Sequence, residues 1–115
     1  CKTGQAVITP GGDLPAQFVI HTVGPVWNGG DHNEEQLLAN CYDNSLRLAV
    51  ENGCKTVAFP NISTGVYRFP KALAAKVSVA TIRRFTSQNQ DLQEIRLVCF
   101  DPESLQLIEA ELSQD

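Results

Sequence analysis

Short apolar runs alternate along this chain with longer stretches whose apolar residues recur every three or four positions, a pattern of strand–helix units. Residues 6–9 read as a short strand, ended by the turn cluster Pro10-Gly11-Gly12-Asp13. Residues 17–23 are apolar almost throughout, as expected of a strand covered on both faces. A loop rich in glycine and asparagine follows over 24–33, where Asp31 or Asn33 caps a helix running to about Asn52. In that helix Leu38, Cys41, Ser45, Leu48 and Ala49 share one side, widened by Leu37 and Leu46, and Gly53 ends it at the C′ position. Residues 56–60 form the next strand and 71–86 the next helix. Its apolar face is Ala72, Ala75, Val79, Ile82 and Phe85, with Lys71, Lys76, Arg83 and Arg84 on a solvated side. Residues 94–100 form the last strand. Asp101 then caps a helix with Pro102 at its first position, buried through Leu105, Ile108 and Leu112. Three such alternations predict parallel βαβ units in one α/β domain over residues 1–115.

Composition narrows the function. No run approaches the roughly 18 apolar residues of a membrane span, and no signal-peptide pattern opens the chain. A net charge of −4 argues against a phosphate-tracking surface for nucleic acid. An anionic ligand would instead be held by local N–H groups, which fits a nucleotide pocket. Cys1, Cys41, Cys54 and Cys99 contain no C-x-x-C, and neither His21 nor His32 has ligand spacing to a cysteine, so no metal centre is expected. Cys41, inside a helix, and Cys99, inside a strand, read as reduced core thiols of a cytoplasmic protein, and Cys54 as near the surface. His21 lies within a strand without a nucleophile at a readable spacing and reads as structural.

The segment Val57-Ala58-Phe59-Pro60-Asn61-Ile62-Ser63-Thr64-Gly65-Val66-Tyr67-Arg68-Phe69-Pro70 carries the candidate chemistry. A β-branched and aromatic run stops at Pro60, small and hydroxyl residues follow, and Pro70 precedes a helical pattern. A strand, a polar turn and a helix start direct backbone N–H groups and a helix dipole at an anion. Gly65 permits close approach or φ > 0, Ser63 and Thr64 add hydroxyls, and Tyr67 and Phe69 can wall a sugar or base. An ordinary strand-to-helix loop is the alternative. Phe100 and Asp101 lie at a strand's carboxyl end, where open α/β sheets bind ligands, or are simply core and cap.

Ile62 to Tyr67, flanked by Phe59-Pro60 and Phe69-Pro70, resembles the second phosphate-binding loop of the macrodomain family. Cys1 to Ala6 with Ile8-Thr9, Leu14-Pro15-Ala16 and Val19 to Pro25 resemble that family's middle section. The resemblance covers nearly the whole chain and is nearest the branch that hydrolyses ADP-ribose derivatives. It implies a three-layer α/β/α mixed sheet lacking the family's first two strands and first helix, and an ADP-ribose-binding function without cofactor. By that resemblance Ile62, Ser63, Thr64, Gly65, Val66 and Tyr67 hold the diphosphate and distal ribose, and Phe100 with Asp101 the adenosine. Arg68 stands where the family usually has glycine. At a negative φ it is accommodated; at a positive φ it costs of order 1 kcal/mol.

The family's N-A-A-N and glycine-rich segments, with its catalytic Asn and Asp, have no counterpart in the 115 residues. The expectation is therefore a truncated domain with weakened binding and no hydrolysis. The alternatives are a hydrolase completed by the missing segment, or an interaction protein that has lost the pocket. In the family a further strand lies between those matching 17–23 and 56–60. Without it the two strands either pair directly or recruit a strand from a second copy, and a homodimer is expected.

Overall fold

The computed structural model describes residues 1–64, 67–99 and 101–113. Their order is β1 (Ala6–Pro10), β2 (Phe18–Thr22), α1 (Glu34–Glu51), β3 (Thr56–Pro60), α2 (Lys71–Gln88), β4 (Glu94–Val98) and α3 (Pro102–Leu112). The last strand ends at Val98 rather than reaching residue 100, so Cys99 follows it.

The strands form two separate pairs. β3 and β4 run parallel, in register from Thr56↔Glu94 to Pro60↔Val98, joined through α2 as the alternation predicts. β1 and β2 instead run antiparallel, from Ala6↔Thr22 to Pro10↔Phe18. The link between them is too short for a crossover, and only an antiparallel pair tolerates so brief a connection. Nor is β2 covered on both faces: its His21 is exposed, and its Nε2 lies 3.0 Å from Thr9 Oγ1. Among the described residues β2 and β3 share no ladder, so the direct pairing open to them is not made.

The main core gathers Leu38, Tyr42 and Leu46 of α1, Phe59 of β3, Phe69, and Ala74 and Phe85 of α2. Fully buried side chains of this size each contribute about 1.5–3 kcal/mol. Tyr42, absent from the expected helix face, packs on Phe59 with ring centroids 5.0 Å apart. A second cluster joins Ala75 and Val79 of α2 to Ile108 of α3. Helix α2 is thus buried along two stripes, one toward each neighbouring helix. That shifts its buried set to Ala74, Ala75, Ser78, Val79, Thr81 and Phe85 and leaves Ala72 exposed. Helix α3 meets α2 through one narrow face, so Ser104 and Ile108 are buried while Leu105 and Leu112 stay exposed. Arg83 is not merely solvated, since its guanidinium donates to the Leu112 carbonyl at 2.7 Å.

Helix ends follow the sequence in two cases out of three. Gly53, at φ 73°, closes α1: its N–H reaches the Val50 carbonyl and that of Cys54 the Ala49 carbonyl, the paired bonds of a Schellman motif. Asp101 caps α3, accepting from Ser104 N–H at 2.7 Å, with Pro102 next. At the start of α1, neither Asp31 nor Asn33 supplies a side-chain cap; Asn33 is the N-cap in a left-handed conformation without such a bond. The adjacent Glu34 takes over the polar work there.

Candidate functional site

The loop from β3 to α2 leaves the ladder at Pro60, turns at Ser63 with φ 68°, and closes on itself where Phe69 N–H donates to the Ser63 carbonyl at 2.9 Å. Its returning arm is anchored. Phe69 is 1% exposed and meets Trp27 edge to face, with centroids 4.9 Å apart. The Trp27 N–H also donates to the Tyr67 carbonyl at 2.8 Å. Two bonds and one aromatic contact thereby fix the returning arm, Tyr67 and Phe69, beyond the carboxyl end of β3.

The segment carrying Trp27 is itself pinned from within. Glu34, 1% exposed, accepts backbone N–H bonds from Asn28 at 2.8 Å, Gly30 at 2.9 Å and His32. Burial works to raise the pKa of this carboxyl, but these three N–H donors and that of Glu34 itself outweigh it and hold the value down at about 2. Gly30, at φ 91°, lies under the Trp27 ring, where a Cβ would stand 3.0 Å from the indole. Neither Glu34 nor Trp27 was singled out by sequence reasoning. The glycine pair ahead of an acidic helix start was the available signal, because glycine frees backbone N–H groups to converge on a carboxylate.

Of the residues expected to bind ligand, Ile62, Ser63 and Thr64 are half-buried on the outgoing arm and Tyr67 is exposed on the return. Gly65, Val66 and Phe100 lie outside the described residues. Ser63 Oγ is buried without a hydrogen-bond partner and packs against Gly24, where a Cβ would come within 2.2 Å of it. Thr64 faces a different, small cleft, shared with Asn61, Tyr42, Lys71 and Ser104. Asp101 stands beside that cleft, its carboxylate 3.5 Å from Lys71 Nζ at the start of α2. The Ser104 N–H bond and, secondarily, Lys71 hold the Asp101 carboxyl below the usual range. The fold therefore brings the β3–α2 loop and Asp101 to the same end of the parallel pair. Arg68 adopts φ 62°, the conformation in which a glycine is preferred and an arginine is strained.

The exposed Tyr67 offers an aromatic face on the returning arm, and the nearby Lys71 is engaged by Asp101 and Glu103. Among the described residues no helix is long and apolar enough to cross a membrane.

Solved structures similar to the chain include the Oceanobacillus iheyensis macrodomain with ADP, at TM-score 0.91 and 40% identity over 96% of this chain and 58% of that one. The Trypanosoma brucei macrodomain in complex with ADP-ribose matches at TM-score 0.90 and 32% identity, over 98% of this chain and 47% of that one. Among curated proteins, a macro domain-containing protein of Cupriavidus necator is 50% identical over 98% of this chain and 65% of its own length. An O-acetyl-ADP-ribose deacetylase of Escherichia fergusonii is 54% identical over 99% of this chain and 64% of its own. The chain thus spans somewhat less than two thirds of these curated relatives. The family model of the Macro domain matches residues 1–78, and the chain belongs to that family, with its α/β fold.

Proposed function

We propose that this domain binds ADP-ribose or a derivative of it. The backbone of the β3–α2 loop, residues 62–67, takes the diphosphate and distal ribose, and Phe100 with Asp101 takes the adenosine. The observation that carries this reading is the β3–α2 loop itself, turned at Ser63 and fixed by Trp27 and Phe69 at the carboxyl end of a parallel strand pair. The likeness to macrodomains solved with ADP and ADP-ribose supports it.

Binding by residues 1–115 is weak, in the high micromolar to millimolar range, because one loop supplies what two would. Each charge-assisted hydrogen bond forgone is worth about 1.5–3 kcal/mol. Among the described residues we assign no carboxylate to water activation, so residues 1–115 by themselves are expected not to hydrolyse ADP-ribosyl esters. The deacetylase relatives favour a second reading, in which a segment outside residues 1–115 completes a hydrolase. The thiols of all four cysteines are free, which suits a reducing cytoplasm. Self-association is part of the same proposal, since the outer edges of β1 and β4 are free to pair among the described residues.

An NMR titration with ADP-ribose tests the proposal. Shifts centre on residues 62–67 and 100–101, and Gly65→Val abolishes them while the fold persists. Shifts confined to other surfaces defeat it. Release of ADP-ribose above a Gly65→Val control would favour the hydrolase.

A further inference from the structure

Glu34 is buried, yet among the described residues no cation pairs with it. A carboxylate taken out of water without a counter-ion destabilises a fold unless hydrogen bonds replace its hydration. Here Oε2 accepts from the N–H groups of Asn28 at 2.8 Å and Gly30 at 2.9 Å, and Oε1 accepts from that of His32. A helix start needs no such device, since an uncharged asparagine side chain can satisfy the first turn. Asn33 stands at that position, and its side chain makes no cap. The charge serves residues 28–32.

Those residues need an external hold. All five are exposed, so core packing does not fix them, and Gly29 and Gly30, at φ 88° and 91°, have the wide backbone freedom of glycine. The bonds to Glu34 carry the shape of the segment. That shape is passed on through Trp27, the residue next to Asn28. Gly30 lies so close to the indole that a Cβ there would stand 3.0 Å from it. Phe69 meets the same ring edge to face, and the Trp27 N–H holds the Tyr67 carbonyl at 2.8 Å. Tyr67 itself is 37% exposed: its main chain is held while its side chain stays accessible.

We infer that Glu34 is a positioning residue for the distal-ribose end of the ligand, acting through Trp27 to fix where Tyr67 is presented. The inference rests on the ADP-ribose reading above and adds to it a residue remote from the loop. Its chemistry also says which change breaks the linkage. Glu34→Gln leaves one carbonyl oxygen and puts an N–H₂ group where the other accepted, donor against donor. Either His32 or the pair Asn28 and Gly30 then loses its acceptor, and the segment behind Trp27 loosens.

The test titrates the whole chain, labelled with nitrogen-15, with AMP, ADP and ADP-ribose. In the parent, ADP-ribose binds about fivefold or more tighter than ADP, the effect of one or two well-placed contacts to the distal ribose. In Glu34→Gln that ratio falls to about one, while AMP, which lacks the distal ribose, changes by less than about twofold. Val79→Ala, in the second core cluster, lowers stability and leaves the ratio at the parent value. Should Glu34→Gln fail to fold, Gly30→Ala decides: its methyl group displaces Trp27 with the buried charge intact, and the ratio falls in the same way. The inference is overturned if the ratio is unchanged in these variants, if all three ligands weaken alike, or if Val79→Ala lowers the ratio equally. A parent that binds ADP-ribose no tighter than ADP overturns it too. A parent that binds none of the three, or binds them away from residues 62–67 and 100–101, defeats the ADP-ribose reading as well. Binding there with the ratio untouched by the variants defeats this inference alone.

Discussion

Trp27 and Phe69 meet edge to face with ring centroids 4.9 Å apart, and this contact ties the segment after β2 to the returning arm of the β3–α2 loop. It bridges parts of the chain that no ladder joins among the described residues, since β2 pairs with β1 and β3 with β4. Both rings also have backbone roles: Trp27 N–H holds the Tyr67 carbonyl, and Phe69 N–H the Ser63 carbonyl. Their packing and the shape of the loop are one property.

Phe69→Ala is therefore expected to destabilise the domain by about 3–5 kcal/mol, the usual cost of truncating a buried aromatic. Urea denaturation measures it. Trp27→Phe keeps an aromatic edge and should lose less than Trp27→Ala. A loss below about 1 kcal/mol for Phe69→Ala would mean that the loop is held by other means.

Acid should act through Glu34. Its carboxyl is held at about 2 in the folded chain against an ordinary value of 4.5. A lowered folded pKa gives stability that is complete above the unfolded value and fades as pH falls toward the folded one. Stability should thus drop between about pH 4.5 and 2, and Glu34→Gln should flatten that part of the profile. An unchanged profile in Glu34→Gln would remove the carboxylate from this role.

Arg68 is strained at φ 62°, and Arg68→Gly relieves it. Left-handed backbone costs a non-glycine residue about 1–2 kcal/mol, offset in part by the greater freedom of glycine in the unfolded chain. A net gain approaching 1 kcal/mol, seen as a melting point raised by a few degrees, is expected. Arg68→Ala brings no such gain. If it does, the benefit comes from removing charge rather than strain.

Asp101 caps α3 in either reading of its function. Asp101→Ala should cost about 1 kcal/mol, and Asp101→Asn, an equally good cap, should restore it. Thermal unfolding distinguishes these. A fully stable Asp101→Ala would show that the bond to Ser104 contributes nothing.

The features legible in the sequence were those whose cause is local. Gly53 and Asp101 are signalled by neighbours within one turn, and both helix ends follow. The β3–α2–β4 unit follows from element spacing alone. The misplaced faces have non-local causes. Ala74 and Ser78 are buried because α2 is flanked by two helices, and Leu105 is exposed because α3 touches only one. Periodicity locates a stripe but not how many partners an element has. The candidate loop was legible as a motif, yet what shapes it, Trp27 and Glu34, acts from a distant stretch of the chain before β3. The sign of φ at Arg68 was undecidable from residue types, since arginine itself argues for the negative value.

One further consequence lies in the contact of Gly24 with Ser63. No side chain fits between them: a Cβ on Gly24 would stand 2.2 Å from Ser63 Oγ. The end of one strand pair therefore sets where the turn after the other can sit, although the two pairs share no ladder among the described residues. A residue with any side chain at position 24 would act on the β3–α2 loop from outside it, by displacing the serine at which that loop turns.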